Sequence, residues 1–295
     1  MANLLRDLLY PFTRPTALAS RRPTGFFTDT TLCIGCKACE VACKQWNQLP
    51  SDGFNFTADS YDNTAQLSAT TWRHVTFIEQ FPRDAAAPPS PPDLNLDLTS
   101  LLMEAQNGRW LMMSDVCKHC SAAPCQMACP TGAIIHNEFN DVYIQNDICN
   151  GCGYCVAACP FGVISRSAFD GHAHKCTLCY DRQRDDLIPA CAKACPTESI
   201  RFGPLDELRA HAARRLEEVK TRGFKGARLY GDRATDTYSD LGAFFLLLDE
   251  PSRYGLPDNP DTPQRHMIAD YIRGAAGTLL WIAILAIAVI IHVRS

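Results

Sequence analysis

The chain has 295 residues, enough to bury a core and to form about one to three domains. Hydrophobic residues at 46% and charged residues at 20% exclude a disordered chain. A formal charge of −4, from 28 basic and 32 acidic side chains, excludes an electrostatic grip on nucleic acid. The unusual feature is sixteen cysteines, and their spacing organises the rest of the reading.

In chain order, residues 1–28 form an N-terminal extension. Arg6, Arg14, Arg21 and Arg22 are not followed by an apolar stretch, so no secretory signal is read. Ser20-Arg21-Arg22 resembles a twin-arginine signal but lacks the hydrophobic stretch that should follow, since Thr28-Asp29-Thr30-Thr31 leads straight into the first cysteines. Residues 29–109 hold the first cysteine run, Cys33, Cys36, Cys39 and Cys43, spaced C-x2-C-x2-C-x3-C, and an inserted segment. Pro88, Pro89, Pro91 and Pro92 make the stretch 82–93 an exposed loop, because such proline density cannot hold a helix.

Residues 110–170 read as one compact two-run unit. Cys117, Cys120, Cys125 and Cys129 follow C-x2-C-x4-C-x3-C, and Cys149, Cys152, Cys155 and Cys159 repeat the spacing of the first run, with strand-like Val142-Tyr143-Ile144 between them. Residues 171–203 carry Cys176, Cys179, Cys191 and Cys195, expected to pair with the first run. Three runs end alike, in Ala-Cys-Pro followed three residues later by an apolar pair or Ser-Ile, which marks an internal repeat.

Residues 204–273 open on a helix. Pro204, Asp206 and Glu207 start it, Leu205, Leu208, Ala212, Leu216 and Val219 give an apolar stripe, and Lys220, Arg222 and Gly223 end it. Leu241–Leu248 is apolar but short, a buried strand or helix piece that cannot span a bilayer. Gly274–Ile291 is free of charge and bounded by Arg273, His292 and Arg294, so it reads as one transmembrane helix of about the ~30 Å a bilayer core requires. Gly274 and Thr278 place small residues four apart, consistent with a partner helix.

Three chemistries compete for the cysteines. Disulfides need an oxidising compartment and do not explain four cysteines repeating so closely. Structural zinc takes two separated C-x2-C pairs, whereas here a third cysteine follows at once. C-x2-C-x2-C-x3-C-P is the iron-sulfur signature in which the fourth cysteine serves the neighbouring cluster, and it favours four [4Fe-4S] clusters with iron as the metal. By that rule the ligand sets are Cys117, Cys120, Cys125 with Cys159; Cys149, Cys152, Cys155 with Cys129; Cys33, Cys36, Cys39 with Cys195; and Cys176, Cys179, Cys191 with Cys43.

Gly35, Gly151 and Gly153 are expected to remove side chains where the backbone wraps a cluster, and the proline after the last cysteine to stop the local helix. The first run has Lys44 in that place, so its exit is expected to differ. Lys37, Lys118 and Lys175 sit beside ligands, where a lysine can raise a cluster potential, and are read in preference as solvated; His119 and His174 are read as non-ligands, since every four-sulfur set is complete. No nucleophile elbow, P-loop or dinucleotide fingerprint occurs, so no catalytic residue is assigned.

With these runs in place, the chain resembles the iron-sulfur (beta) subunit of membrane-bound respiratory formate dehydrogenase, in the molybdopterin oxidoreductase group. The resemblance covers about residues 29–291. It rests on the four runs and on Cys33-Ile34-Gly35-Cys36-Lys37-Ala38-Cys39, Trp46-Asn47, Tyr61-Asp62-Asn63, Leu67-Ser68-Ala69, Lys175-Cys176-Thr177-Leu178-Cys179 and the terminal helix. It implies an α+β fold of two bacterial-type two-[4Fe-4S] ferredoxin-like units plus one C-terminal transmembrane helix. It also implies a non-catalytic wire between a molybdopterin-containing alpha subunit that oxidises formate and a membrane gamma subunit, typically a b-type cytochrome, that reduces quinone. The body would be periplasmic, or cytoplasmic as in some related complexes. Subunits of hydrogenases or of sulfur or sulfoxide reductases are the nearest alternatives, and a zinc-stabilised membrane scaffold is the alternative from another class.

Overall fold

The computed structural model describes residues 21–53, 62, 64–80, 109–235, 238–261 and 263–294. The proline-rich loop at 82–93, Tyr61, Asn63 and most of the N-terminal extension lie outside them. The described residues through Pro260 form one compact unit, and those from Asp261 onward a second.

The first unit is built as a ring of strand pairs, each joining the end of one cysteine run to the start of another. Strand β1, Thr24–Asp29, leads into the first run, whose helix α1 is Ala38–Trp46. The inserted segment ends in β2, Arg73–Gln80, which pairs along its whole length with antiparallel β3, Arg109–Val116, the strand that enters the second run. After that run and its helical turn α2, Pro124–Met127, strand β4, Ile134–His136, pairs with β5, Val142–Ile144, ahead of the third run. Helix α3, Tyr154–Ala158, lies within the third run, and β6, Ser165–Arg166, pairs with β7, Ala173–His174, ahead of the fourth. The fourth run contains α4, Tyr180–Arg184, and α5, Ala190–Lys193. Strand β8, Ile200–Pro204, then pairs with β1 antiparallel and closes the ring, Phe26 opposite Phe202.

Helix α6, Leu205–Thr221, follows with the expected start and stop, and Leu205, Leu208, Ala212 and Val219 are its buried residues. Beyond it, β9, Arg228–Tyr230, and β10, Ala243–Leu247, complete a four-stranded sheet of order β8-β1-β10-β9 in which β10 runs parallel to β1. The apolar piece at 241–248 is thus a strand, and all five residues of β10 are buried. Alternation of side chains along β10 divides the work. Phe244 and Leu246 pack with Phe27 against α6, while Ala243, Phe245 and Leu247 face the core that holds the cysteines. A strand buried on both faces reads as an uninterrupted apolar run, as this one does.

The second unit is one helix, α7, Pro263–Arg294. Its window Tyr271–Ile290 is long and apolar enough to cross a membrane. The helix begins eleven residues before the uncharged stretch read from sequence, because hydrogen bonding, unlike partition into lipid, does not require apolar side chains. The Thr278 hydroxyl donates to the Gly274 carbonyl at 2.9 Å, so it serves its own helix.

Candidate metal centres

All four runs share one backbone device. The second residue after the first cysteine is left-handed in each: Gly35 at φ 67°, His119 at 43°, Gly151 at 70° and Leu178 at 55°. The reversal that this produces folds the next cysteines back toward the first. Glycine is required where neighbouring protein leaves little space. A Cβ on Gly35 would meet Phe77 at 2.6 Å and Met112 at 2.8 Å, and one on Gly151 would meet the Gly171 carbonyl oxygen at 2.3 Å. His119 and Leu178 adopt the same turn with side chains, so the left-handed geometry is common to all four runs, and neighbouring protein adds the demand for glycine at Gly35 and Gly151.

The exits also repeat. Gly132, Gly162 and Glu198 donate their amides to the carbonyls of Cys129, Cys159 and Cys195 at 3.3–3.4 Å, closing one turn over each Cys-Pro. The preceding helices stop at Met127, Ala158 and Lys193, before the last cysteine, because a residue that precedes proline avoids the helical region. Cys159 is accordingly extended, at φ −81° and ψ 112°. The first run lacks the proline, and α1 continues to Trp46, three residues beyond Cys43. There the Lys44 ammonium donates to the Pro50 and Thr70 carbonyls at 3.1 and 2.9 Å and pairs with Asp52 at 2.7 Å.

These loops bring cysteines from different runs together. Cys117, Cys120 and Cys125 line one cavity with Cys159. Cys149, Cys152 and Cys155 line another with Cys129. Helices α1 and α5 pack together, and Cys39 and Cys43 of the first run lie within electrostatic reach of Cys191. Cys33 stands in the same relation to Cys195, Cys43 to Cys179, and Cys176 to Cys117. The first run thus neighbours the fourth, the fourth the second, and the second the third. Cys36 and Cys152, at the two ends, are exposed. None of the sixteen cysteines is in a disulfide.

Burial governs the thiols. It pushes Cys39, Cys120 and Cys179 up to about 12 and Cys155 up to about 11, and Cys125 and Cys176 well above the ordinary range. Cys129 goes the other way, because hydrogen bonds from the Thr131 hydroxyl and the Ile134, Thr131 and Ala133 amides outweigh its burial. Buried thiolates at this density need a cationic partner inside the protein, and the cysteine sets fit an iron-sulfur core in donor chemistry. Among the described residues no three His, Cys, Asp or Glu side chains converge on a point where a single ion could sit.

Several polar groups at the cysteines were not singled out from sequence. Ser114 Oγ lies 3.2 Å from Cys39 Sγ, the Tyr238 hydroxyl donates to Cys120 Sγ at 3.1 Å, and the Leu178 amide donates to Cys176 Sγ at 3.3 Å. Thr131 and Thr197 lie 3.6 and 3.7 Å from the sulfurs of Cys129 and Cys195. The threonines share one place in the Cys-Pro-Thr repeat and could have been found from it; Ser114 and Tyr238 have no local signal.

The lysine reading needs correction. Lys118 and Lys175 are 0% and 2% exposed, not solvated. Lys118 pairs with Asp115, donates to the Val116 carbonyl at 2.9 Å and lies over the Phe245 and Phe161 rings. Lys175 donates to the carbonyls of Val142 and Cys176. Burial alone would lower its pKa, but Cys117, Cys125 and Cys176 beside it hold the pKa above the ordinary value. Lys37 is partly exposed and pairs with Asp62 at 3.0 Å. His119 is buried with both ring nitrogens unpartnered, and burial holds it neutral, while His174 bonds Asp170 at 2.8 Å.

Paired cysteine runs joined by short strand pairs define a ferredoxin-like iron-sulfur protein. Residues 32–133 and 108–205 each match a 4Fe-4S dicluster domain family. The chain belongs to the family of formate dehydrogenase iron-sulfur subunits. It is 38% identical to the formate dehydrogenase-O iron-sulfur subunit of Escherichia coli over 79% of this chain and 70% of that one. It is 36% identical to the formate dehydrogenase iron-sulfur subunit of Haemophilus influenzae over 79% and 68%. One polypeptide of the anaerobic dimethyl sulfoxide reductase of Escherichia coli is 32% identical over 63% of this chain and 75% of its own length. As an iron-sulfur electron-transfer subunit, the protein is not the zinc scaffold held open by its sequence.

Proposed function

We propose that this chain carries four [4Fe-4S] clusters and passes electrons from formate oxidation, at a molybdopterin-containing catalytic subunit, to a quinone-reducing membrane subunit. The ligand sets are Cys33, Cys36, Cys39 and Cys195; Cys176, Cys179, Cys191 and Cys43; Cys117, Cys120, Cys125 and Cys159; and Cys149, Cys152, Cys155 and Cys129. A bound cluster of this type takes up and releases one electron at a time. The chain's own residues space the sites, exclude water from the inner two and supply hydrogen bonds to sulfur.

The observation that supports this reading best is the succession of cysteine sets, in which the Cys43, Cys176, Cys179 and Cys191 set is buried, the Cys117, Cys120, Cys125 and Cys159 set is buried except for a partly buried Cys159, and each of the other two contains an exposed cysteine. Apolar side chains stand exposed near both ends, Ile34 and Val41 near Cys36 and Ile148 and Tyr154 near Cys152. An exposed cysteine beside exposed apolar residues suits contact with a partner subunit at each end. The α7 window anchors the chain in the bilayer, and the body lies on the periplasmic side.

The test is anaerobic purification of the complex from its native membrane. Sixteen iron and sixteen sulfide per chain, with cluster signals in electron paramagnetic resonance that develop on adding formate, are expected. Zinc in place of iron rejects the cluster reading. Signals reoxidised by dimethyl sulfoxide but indifferent to formate transfer the chain to a sulfoxide reductase. Digestion of the cysteine-rich body by protease in intact spheroplasts is expected, and protection until lysis places it in the cytoplasm.

A further inference from the structure

We propose that Arg73, held in place by Ser114, sets the reduction potential of the adjoining first-run and fourth-run clusters, presenting to their sulfurs a fixed charge and otherwise unpartnered N–H donors. The proposal rests on the cluster reading above. Arg73 begins β2, in the segment inserted between the first and second runs, and is 1% exposed. Its Nη1 donates to Ser114 Oγ at 3.0 Å, and Ser114 Oγ in turn lies 3.2 Å from Cys39 Sγ. The guanidinium lies 4.7 Å from the centre of the Phe26 ring, which fixes its plane. Nε and Nη2 have no hydrogen-bond acceptor within the protein.

A buried guanidinium with idle donors is costly unless something anionic faces it. No carboxylate pairs with it among the described residues. The groups that bear on it most strongly are the sulfurs of Cys191, Cys39, Cys176 and Cys43, which raise its pKa against burial. Three of these belong to the set Cys43, Cys176, Cys179 and Cys191, and Cys39 to the adjoining one. A cluster gains negative charge on reduction, so a nearby cation and N–H donors favour the reduced state and raise the potential. In the Cys129, Cys149, Cys152 and Cys155 set, Cys155 is governed by burial, the three other cysteines and its own amide, and Arg73 is not among the groups that bear on it.

The experiment is a reductive titration followed by electron paramagnetic resonance on the intact complex, comparing wild type with Arg73→Gln and Arg73→Lys. In Arg73→Gln the reduced-to-oxidised ratio of the Cys43/176/179/191 cluster should fall at least tenfold at the wild-type midpoint, about 59 mV for one electron. The Cys129/149/152/155 cluster should not move. Arg73→Lys should recover most of the shift. An Arg73→Gln protein with sixteen iron and unshifted potentials overturns the proposal, as does an equal shift of all four clusters. Should Arg73→Gln fail to load, Ser114→Ala carries the test, because it frees the guanidinium and removes the hydroxyl at Cys39. A lowered potential of the Cys39 cluster is expected, and no change overturns the proposal. A wild-type complex without four clusters overturns the underlying reading instead.

Discussion

The Tyr238 hydroxyl reaches Cys120 Sγ at 3.1 Å across 118 positions of chain, and both residues are buried. A donor to a ligating sulfur stabilises the more negative, reduced cluster. Tyr238→Phe should therefore lower the potential of the Cys117/120/125/159 cluster in an electron paramagnetic resonance titration, at a stability cost of only about 0.5–1.5 kcal/mol. Asp141 tests the opposite kind of group. Burial pushes its carboxyl up to about 7, even though the Gln183 and Asn137 amides donate to it at 2.7 and 3.4 Å. The folded protein thus holds a proton that the unfolded chain gives up near pH 4, so stability should fall as pH rises from about 4 to 7 and level off above. Urea midpoints at pH 5.5 and 7.5 measure the slope, and Asp141→Asn should flatten it. An unchanged slope in the variant would show that Asp141 does not carry it.

Strand β1 is the element on which ring closure depends, and its weak point is Gly25. A Cβ there would sit 2.0 Å from the Gly242 carbonyl oxygen and 2.5 Å from Leu205 Cδ2. The same oxygen accepts the Phe26 amide at 2.8 Å, so it cannot retreat without breaking the bridge to β10. Gly25→Ala should cost at least about 1–3 kcal/mol, read as a lower denaturation midpoint, and should loosen the first and fourth runs together. Helix α1 makes a complementary case. Lys44→Pro would copy the other runs, yet it should cost about 3 kcal/mol because α1 must continue to Trp46 and the ammonium's three partners would be lost. A Lys44→Pro protein of wild-type stability would show that the extended exit is dispensable.

Taken whole, the chain couples a cysteine-rich body to a single apolar helix, and the two should be separable. The α7 window Tyr271–Ile290 presents Leu279, Leu280, Trp281, Ile282, Leu285 and Ile287 to its surroundings, which suits lipid and not water. Truncation after Pro260 should move the protein from the membrane to the soluble fraction in a fractionation assay while retaining its iron. A truncated chain still sedimenting with membranes would assign the attachment to the body. Loss of iron on truncation would show that the helix is needed for assembly.

Local chemistry made much of this molecule readable in advance. Cysteine spacing, the turn at each Cys-Pro, the start and stop of α6 and the uncharged terminal stretch all act over a few residues, so the linear order carries them. The different exit of the first run was legible too, from Lys44 in place of proline. What surrounds the sulfurs was not. Lys118 and Lys175 look like solvated lysines because nothing adjacent shows that β10 and β5 will cover them. Arg73 and Ser114, 41 positions apart, meet only because β2 and β3 pair in one register. Tyr238 reaches Cys120 only after the chain has passed through α6 and β9. The proposed ligand sets rest on covalent spacing, whereas the charges and donors around a buried sulfur depend on long-range packing, which is decided when the ring of strand pairs closes.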